Sequence, residues 1–139
     1  MTGELTAALE AEYAAIFAYG PIGVRLTGAE QSAARAAEAA HRALRDALVL
    51  ALSGTGLPPA AAAYTLPEPV VDRAAALRVA IVVEEKTAAV WRAALAGTVD
   101  TQRRQALDAL TGCAVRATRW RRSAKVDPIT VPFPGKAPA

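Results

Sequence analysis

The segment Glu38-Ala39-Ala40-His41 holds the only histidine of the chain, three residues after a glutamate. Residues three or four positions apart lie on one face of an α-helix, so the carboxylate and the imidazole are able to face one location. This spacing is typical of metal sites inside helical bundles. The segment therefore favours an all-α bundle and directs the search for a site to the other helices.

The composition supports a helical fold. The 139 residues are 53% hydrophobic but only 5% aromatic, and alanine dominates. Alanine is the best helix former, and its small side chain lets helices approach closely. The single cysteine, Cys113, cannot form an internal disulfide, and no apolar run is long enough to span a membrane. We therefore expect one cytoplasmic domain over residues 1–139 with no membrane insertion.

Hydrophobic periodicity predicts four helices, with an extended, proline-rich tail after them. The expected bounds are about 2–26, 30–53, 70–96 and 100–125 for the helices and 126–139 for the tail. The connection over residues 54–69 contains four prolines and is long enough to cross the bundle from end to end. Two topologies stay open: two antiparallel pairs joined by this long crossover, and a simple up-down bundle with a slack loop.

Acidic residues interrupt the apolar faces of the first three helices, each near the middle of its helix. A buried carboxylate needs a metal ion, a proton or a cation to compensate it. Three carboxylates and an imidazole at one level would suit one iron, manganese or zinc ion. The candidate metal ligands are Glu12, Glu38, His41 and Glu84.

The fourth helix supplies no matching ligand, because residues 112–119 in its middle include no carboxylate. Arg116 or Arg119 would be able to neutralise the carboxylates instead, since arginine is permanently charged and offers two donors to a carboxylate. We therefore expect a degenerate site without a cofactor. A bound iron, manganese or zinc ion is the alternative.

Positive charge is concentrated at the end of the chain. Residues 1–100 have a net charge of −3, whereas residues 101–139 have a net charge of +6. Arg121, Arg122 and Lys125 near the end of the fourth helix are candidate anion-binding residues. Nucleic-acid binding ranks last among the expected functions, because no recognised reader motif accompanies this charge.

The candidate residues resemble the pattern of ferritin-like carboxylate proteins. The resemblance matches Glu12 to the glutamate of the first helix, Glu38 and His41 to the Glu-x-x-His motif, and Glu84 to the glutamate of the third helix. Tyr19 matches a tyrosine that ferritins place seven residues after the first glutamate, beside the metal. The resemblance implies a ferritin-like four-helix bundle with a long crossover. It also implies an incomplete di-metal site, because the second Glu-x-x-His motif is missing.

Over about residues 4–135 the chain also looks like a ferritin-like domain family of unknown function. The segments that carry this resemblance are 12–20, 38–41, 91–92, 119–121 and 131–135. The resemblance implies the fold but no activity. We therefore expect a non-enzymatic structural or protein-interaction role, with a homodimer or another protein as partner. A metal-binding or oxidoreductase-type role is the alternative, and anion or nucleic-acid binding through the basic end of the fourth helix is the third.

Overall fold

The computed structural model describes residues 2–57 and 59–137. Its four α-helices are α1 (Thr2–Val24), α2 (Gly28–Ala51), α3 (Arg73–Ala96) and α4 (Asp100–Ala124). The described residues form no β-strand, which confirms the predicted all-α, four-helix fold class. Pro58 of the long connection and residues 138–139 of the expected tail lie outside the described residues.

The helix ends differ from the predicted ones by at most three residues. The largest difference is at the start of α3, which begins at Arg73 because Asp72 acts as its N-cap. The Asp72 carboxylate accepts a hydrogen bond from the Ala75 backbone N–H at 2.8 Å, which satisfies one of the free amides of the first turn. The first helix, α1, continues through Pro21 as far as Val24.

Contacts between side chains show how α2 and α3 run relative to each other. α1 packs against α2 and α3, and α3 packs against α4. Arg73 at the start of α3 pairs with Glu30 at the start of α2, and Glu84 contacts His41 midway along both helices. α2 and α3 therefore run parallel. The connection over residues 52–72 has to return the chain along the bundle between them.

The core consists of two apolar clusters with a polar layer between them. One cluster includes Ile22 and Leu77, and the other includes Leu9 and Leu48, toward the opposite end of the bundle. The polar side chains of the layer are all fully buried. They are Glu12, His41 and Glu84. This arrangement places a candidate site in the middle of the bundle, closed by apolar packing at both ends.

The chain after α4 lies partly against α3. Residues 126–137 contain no helix or strand, and the Pro134 carbonyl accepts a hydrogen bond from Arg92 at 3.3 Å. Val131 and Phe133 are 42% and 66% exposed. None of the described helices combines the length and the apolar character that crossing a bilayer requires.

Candidate functional site

His41 lies between two carboxylates, one at each ring nitrogen. Nδ1 is 2.5 Å from Glu12 Oε2, and Nε2 is 2.9 Å from Glu84 Oε2. All three side chains have no solvent exposure. An imidazole that hydrogen-bonds to carboxylates through both nitrogens needs a proton on each of them, because an ionised carboxylate only accepts. The geometry therefore holds His41 as an imidazolium.

The pKa of His41 agrees with this protonation state. Burial by itself would lower the pKa, but the hydrogen bonds to Glu12 and Glu84 and their negative charges outweigh it. They raise the pKa of His41 from 6.5 to about 9. The imidazolium is consequently the stable form at neutral pH.

Glu84 is the carboxylate with the most partners. It accepts a hydrogen bond from the Tyr19 hydroxyl at 2.6 Å and one from Arg116 Nε at 2.9 Å, in addition to its contact with His41. Burial would raise the pKa of Glu84, but the hydrogen bond and charge of His41 and the charge of Arg116 outweigh it and lower the pKa. Glu84 is therefore ionised, although it lies inside the core.

Two tryptophans complete the hydrogen bonding of the centre. Trp91 Nε1 donates to Glu12 Oε1 at 2.7 Å, and Trp120 Nε1 donates to the Tyr19 hydroxyl at 2.9 Å. The sequence patterns predicted neither role. Two features could have indicated the role of Trp91. A buried indole N–H needs a hydrogen-bond acceptor, and Trp91 lies seven residues after Glu84 on the same face of α3.

The centre is electrically neutral and fully hydrogen-bonded. Two carboxylates, Glu12 and Glu84, face two cations, His41 and Arg116. In the described residues, the only buried side-chain nitrogen or oxygen without a hydrogen-bond partner belongs to a residue outside the centre, Arg121. A buried charge network of this kind tolerates low dielectric only because every member is paired.

Glu38 does not lie in the centre, in contrast to the sequence-based expectation. Its carboxylate pairs with Arg42 Nη2 at 3.1 Å on the surface of α2, where the Glu38 side chain is 29% exposed. Two residues three positions apart on a helix differ in direction by about 60°. With His41 facing the core, Glu38 falls at the edge of the buried face and reaches solvent.

The two candidate arginines on α4 have different environments. Arg116 reaches Glu84 and has a side chain only 17% exposed. Arg119 is exposed, so Arg116 is the one of the two expected arginines that pairs with Glu84. Both arginines are on one side of α4, and the packing of α4 against α3 brings only Arg116 to the level of Glu84.

The predicted anion-binding residues do not form one exposed patch. Arg121 is buried and forms an ion pair with Glu85, whereas Arg122 and Lys125 are exposed. Lys125 is the C-cap of α4 and has a left-handed backbone, with φ 57°. Arg121 is therefore separated from the other two residues by its burial.

The donor atoms of the centre do not fit a metal ion. Ligand atoms have to surround one point at about 2.0–2.2 Å. The two nitrogens of His41 instead face different carboxylates on opposite sides of the ring, and each carries a proton in place of a free lone pair. In the parts of the chain that are described, no group of three or more His, Cys, Asp or Glu side chains is arranged to hold a metal. The residues present thus disagree with the di-metal site that the ferritin-like resemblance implies.

The titratable side chains around the centre are poor nucleophiles or bases. Burial, and then the charge of Glu84, raise the pKa of the Tyr19 hydroxyl well above 10. Burial also raises the pKa of the Cys113 thiol, whose sulfur is 3.6 Å from Arg116 Nη2, so the thiolate that would act as nucleophile is disfavoured. These groups hold one another in place instead of presenting a reactive atom to a ligand.

Residues 4–138 match a protein family described as "Domain of unknown function (DUF4439)". A solved structure described as a conserved hypothetical protein, rv2844, from Mycobacterium tuberculosis is 36% identical to this chain and superposes with a TM-score of 0.82. The similarity covers 88% of this chain and 95% of that chain. No curated protein matches this chain. The chain belongs to the family described as Domain of unknown function (DUF4439).

Proposed function

We propose that this protein is a non-enzymatic helical bundle in which an ion-paired Glu12–His41–Glu84–Arg116 centre takes the place of a metal site. The observation that carries the proposal is the position of His41, with both ring nitrogens engaged by carboxylates. The two positive charges that metal ions would supply come from an imidazolium and a guanidinium. The centre then fixes how α1, α2, α3 and α4 pack, and the outer surface of the bundle carries the function.

Metal content tests the metal-free part of the proposal. Protein purified without a histidine tag and incubated with ferrous iron, manganese or zinc is expected to retain far less than one ion per chain. The reason is that a metal would have to displace the His41 proton and break both of its hydrogen bonds. Elemental analysis after desalting gives the readout.

The control for metal content is the Glu38→Gln variant, because Glu38 would be a ligand in a ferritin-like site but lies on the surface here. The variant is expected to behave as the parent does. One ion or more per chain in the parent would contradict the proposal. Loss of that metal in Glu38→Gln would identify the ferritin-like ligand set.

We propose a second copy of the chain as the protein partner, docked on the face between α2 and α4. Supporting this, α2 has only four buried residues, whereas α3 has twelve. Cavities of about 300 and 530 Å³ lie between α2 and α4, and both are bordered by Arg116. The small residues of α2 that line them are Ala29, Ala33, Ala36, Ala37, Ala40 and Ala43. The small side chains on this face of α2 would let the α2 helix of a second copy approach closely.

Light scattering during gel filtration tests the dimer. The expected species has roughly twice the chain mass of 14.4 kDa. Ala36→Arg, on the exposed side of α2, is expected to give the monomer because the larger charged side chain would block close helix approach. Ala93→Arg, at an exposed position of α3, is the matched control and should leave the dimer intact. A parent protein that elutes only at the monomer mass would contradict this proposal.

A further inference from the structure

A cavity of about 620 Å³ lies between α3, the end of α4 and the chain after α4. It is separate from the buried centre and is in the size range of small-molecule sites. Its apolar lining includes Ala89, Val131, Pro132 and Phe133. Its charged lining consists of Glu85, Lys86, Arg121 and Lys136. The lining therefore combines apolar side chains with an excess of positive charge.

The chain after α4 forms its wall of the cavity by close backbone contact with α3. Gly135 has a φ of +78°, and a Cβ at this position would lie 2.7 Å from the Ala88 carbonyl oxygen. Only glycine fits such an approach and such a backbone angle. The hydrogen bond from Arg92 to the Pro134 carbonyl holds the neighbouring residue. The wall is thus built by specific contacts.

Arg121 supplies a donor that nothing in the described protein uses. Its side chain is only 5% exposed, and Nη2 is engaged by Glu85. Its other terminal nitrogen, Nη1, is buried and has no hydrogen-bond partner. Leaving a charged donor buried and unpaired is costly, so an acceptor at this position would be favourable.

The charges around the cavity leave an excess of cations. Glu85 is the only carboxylate of the lining, against Lys86, Arg121 and Lys136. Lys136 Nζ lies 5.4 Å from the centre of the Phe133 ring, so this lysine is held beside the aromatic wall. An anion with an attached apolar group would match both the charged and the apolar residues of the lining.

We propose that this cavity binds a small organic anion, a carboxylate or phosphate joined to an apolar group. Arg121, Lys86 and Lys136 bind the anionic group, and Phe133 with its apolar neighbours contacts the rest of the ligand. This assignment differs from an anion site formed by Arg122 and Lys125, and it does not depend on the metal-free centre or on the dimer.

Calorimetric titration with phenyl phosphate, benzoate and inorganic phosphate at low salt tests the site. Phenyl phosphate or benzoate is expected to bind saturably, and more tightly than inorganic phosphate because of the apolar residues in the lining. The double variant Lys86→Gln/Lys136→Gln is expected to weaken binding by about tenfold or more, since two charge-assisted contacts are lost. Both lysines are exposed, so the variant should fold.

Two variants separate this site from general attraction to positive charge. Arg122→Gln/Lys125→Gln makes the same change of charge outside the cavity and is expected to leave the affinity within about twofold of the parent. Phe133→Ala should weaken phenyl phosphate binding and leave that of inorganic phosphate unchanged. The proposal is overturned if neither phenyl phosphate nor benzoate binds saturably. It is also overturned if the two double variants lose affinity equally.

Discussion

Replacing His41 with leucine is expected to lower the free energy of unfolding by about 3–5 kcal/mol, the cost typical of removing one partner from a buried ion pair. Glu12 and Glu84 would lose the cation between them while staying at zero exposure. Leucine cannot donate a hydrogen bond to either carboxylate, so both would have to take up protons or draw water into the core. Urea denaturation at pH 7, followed by circular dichroism, measures the change.

Glu38→Gln is the matched control for His41→Leu, because Glu38 lies one helical turn away but faces solvent. Its effect is expected to be within about 0.5 kcal/mol. Adding Glu12→Gln and Glu84→Gln to His41→Leu removes the buried negative charges and should recover part of the lost stability. Equal effects of His41→Leu and Glu38→Gln would show that the buried network does not stabilise the bundle.

The second large effect is a loss of stability at alkaline pH. The pKa of His41 is raised from 6.5 to about 9 by folding, so its contribution is fully present below pH 6.5 and disappears as the pH rises through 9. Between pH 7 and pH 10 the free energy of unfolding is expected to fall by about 2–3 kcal/mol from this group. Denaturation curves at intervals across this range give the profile.

Glu84 contributes to the loss of stability at acidic pH. Its pKa is lowered in the folded protein, so its contribution is present above the usual carboxyl pKa and is lost as the pH falls through the depressed value.

Glu12→Gln serves as the control for the alkaline loss, because it removes one of the two carboxylates that raise the pKa of His41. The alkaline loss should then begin at lower pH than in the parent. An identical alkaline profile in both proteins would contradict the assignment to His41.

The sequence was sufficient to predict the helices and the level of the buried centre. Glu12, His41 and Glu84 interrupt apolar faces midway along three helices, and periodicity alone locates such residues. The sequence does not predict how α2 is rotated about its own axis relative to the core. Glu38 and His41 differ by only about 60° around the helix, so a small rotation changes which of them is buried. Tertiary packing determines whether the Glu38 or the His41 side chain points into the core.

Which arginine of α4 pairs with Glu84 also depends on tertiary packing, which no local sequence pattern encodes. Arg116 and Arg119 are three residues apart on α4, and their relation to Glu84 depends on how far α4 is shifted along α3. The cavity near Arg121 depends on contacts between α3 and the chain after α4, which are distant in sequence. A charge count finds the basic region but does not distinguish buried Arg121 from exposed Arg122.

The protonation state of His41 is the most direct test of the metal-free centre. His41 is the only histidine, so long-range proton–nitrogen correlation NMR gives one imidazole spin system without assignment. We predict an imidazolium at pH 7, with protons on both nitrogens and a titration midpoint near the pKa of about 9. A neutral imidazole at pH 7, or a ring nitrogen whose signal changes when iron, manganese or zinc is added, would contradict the account.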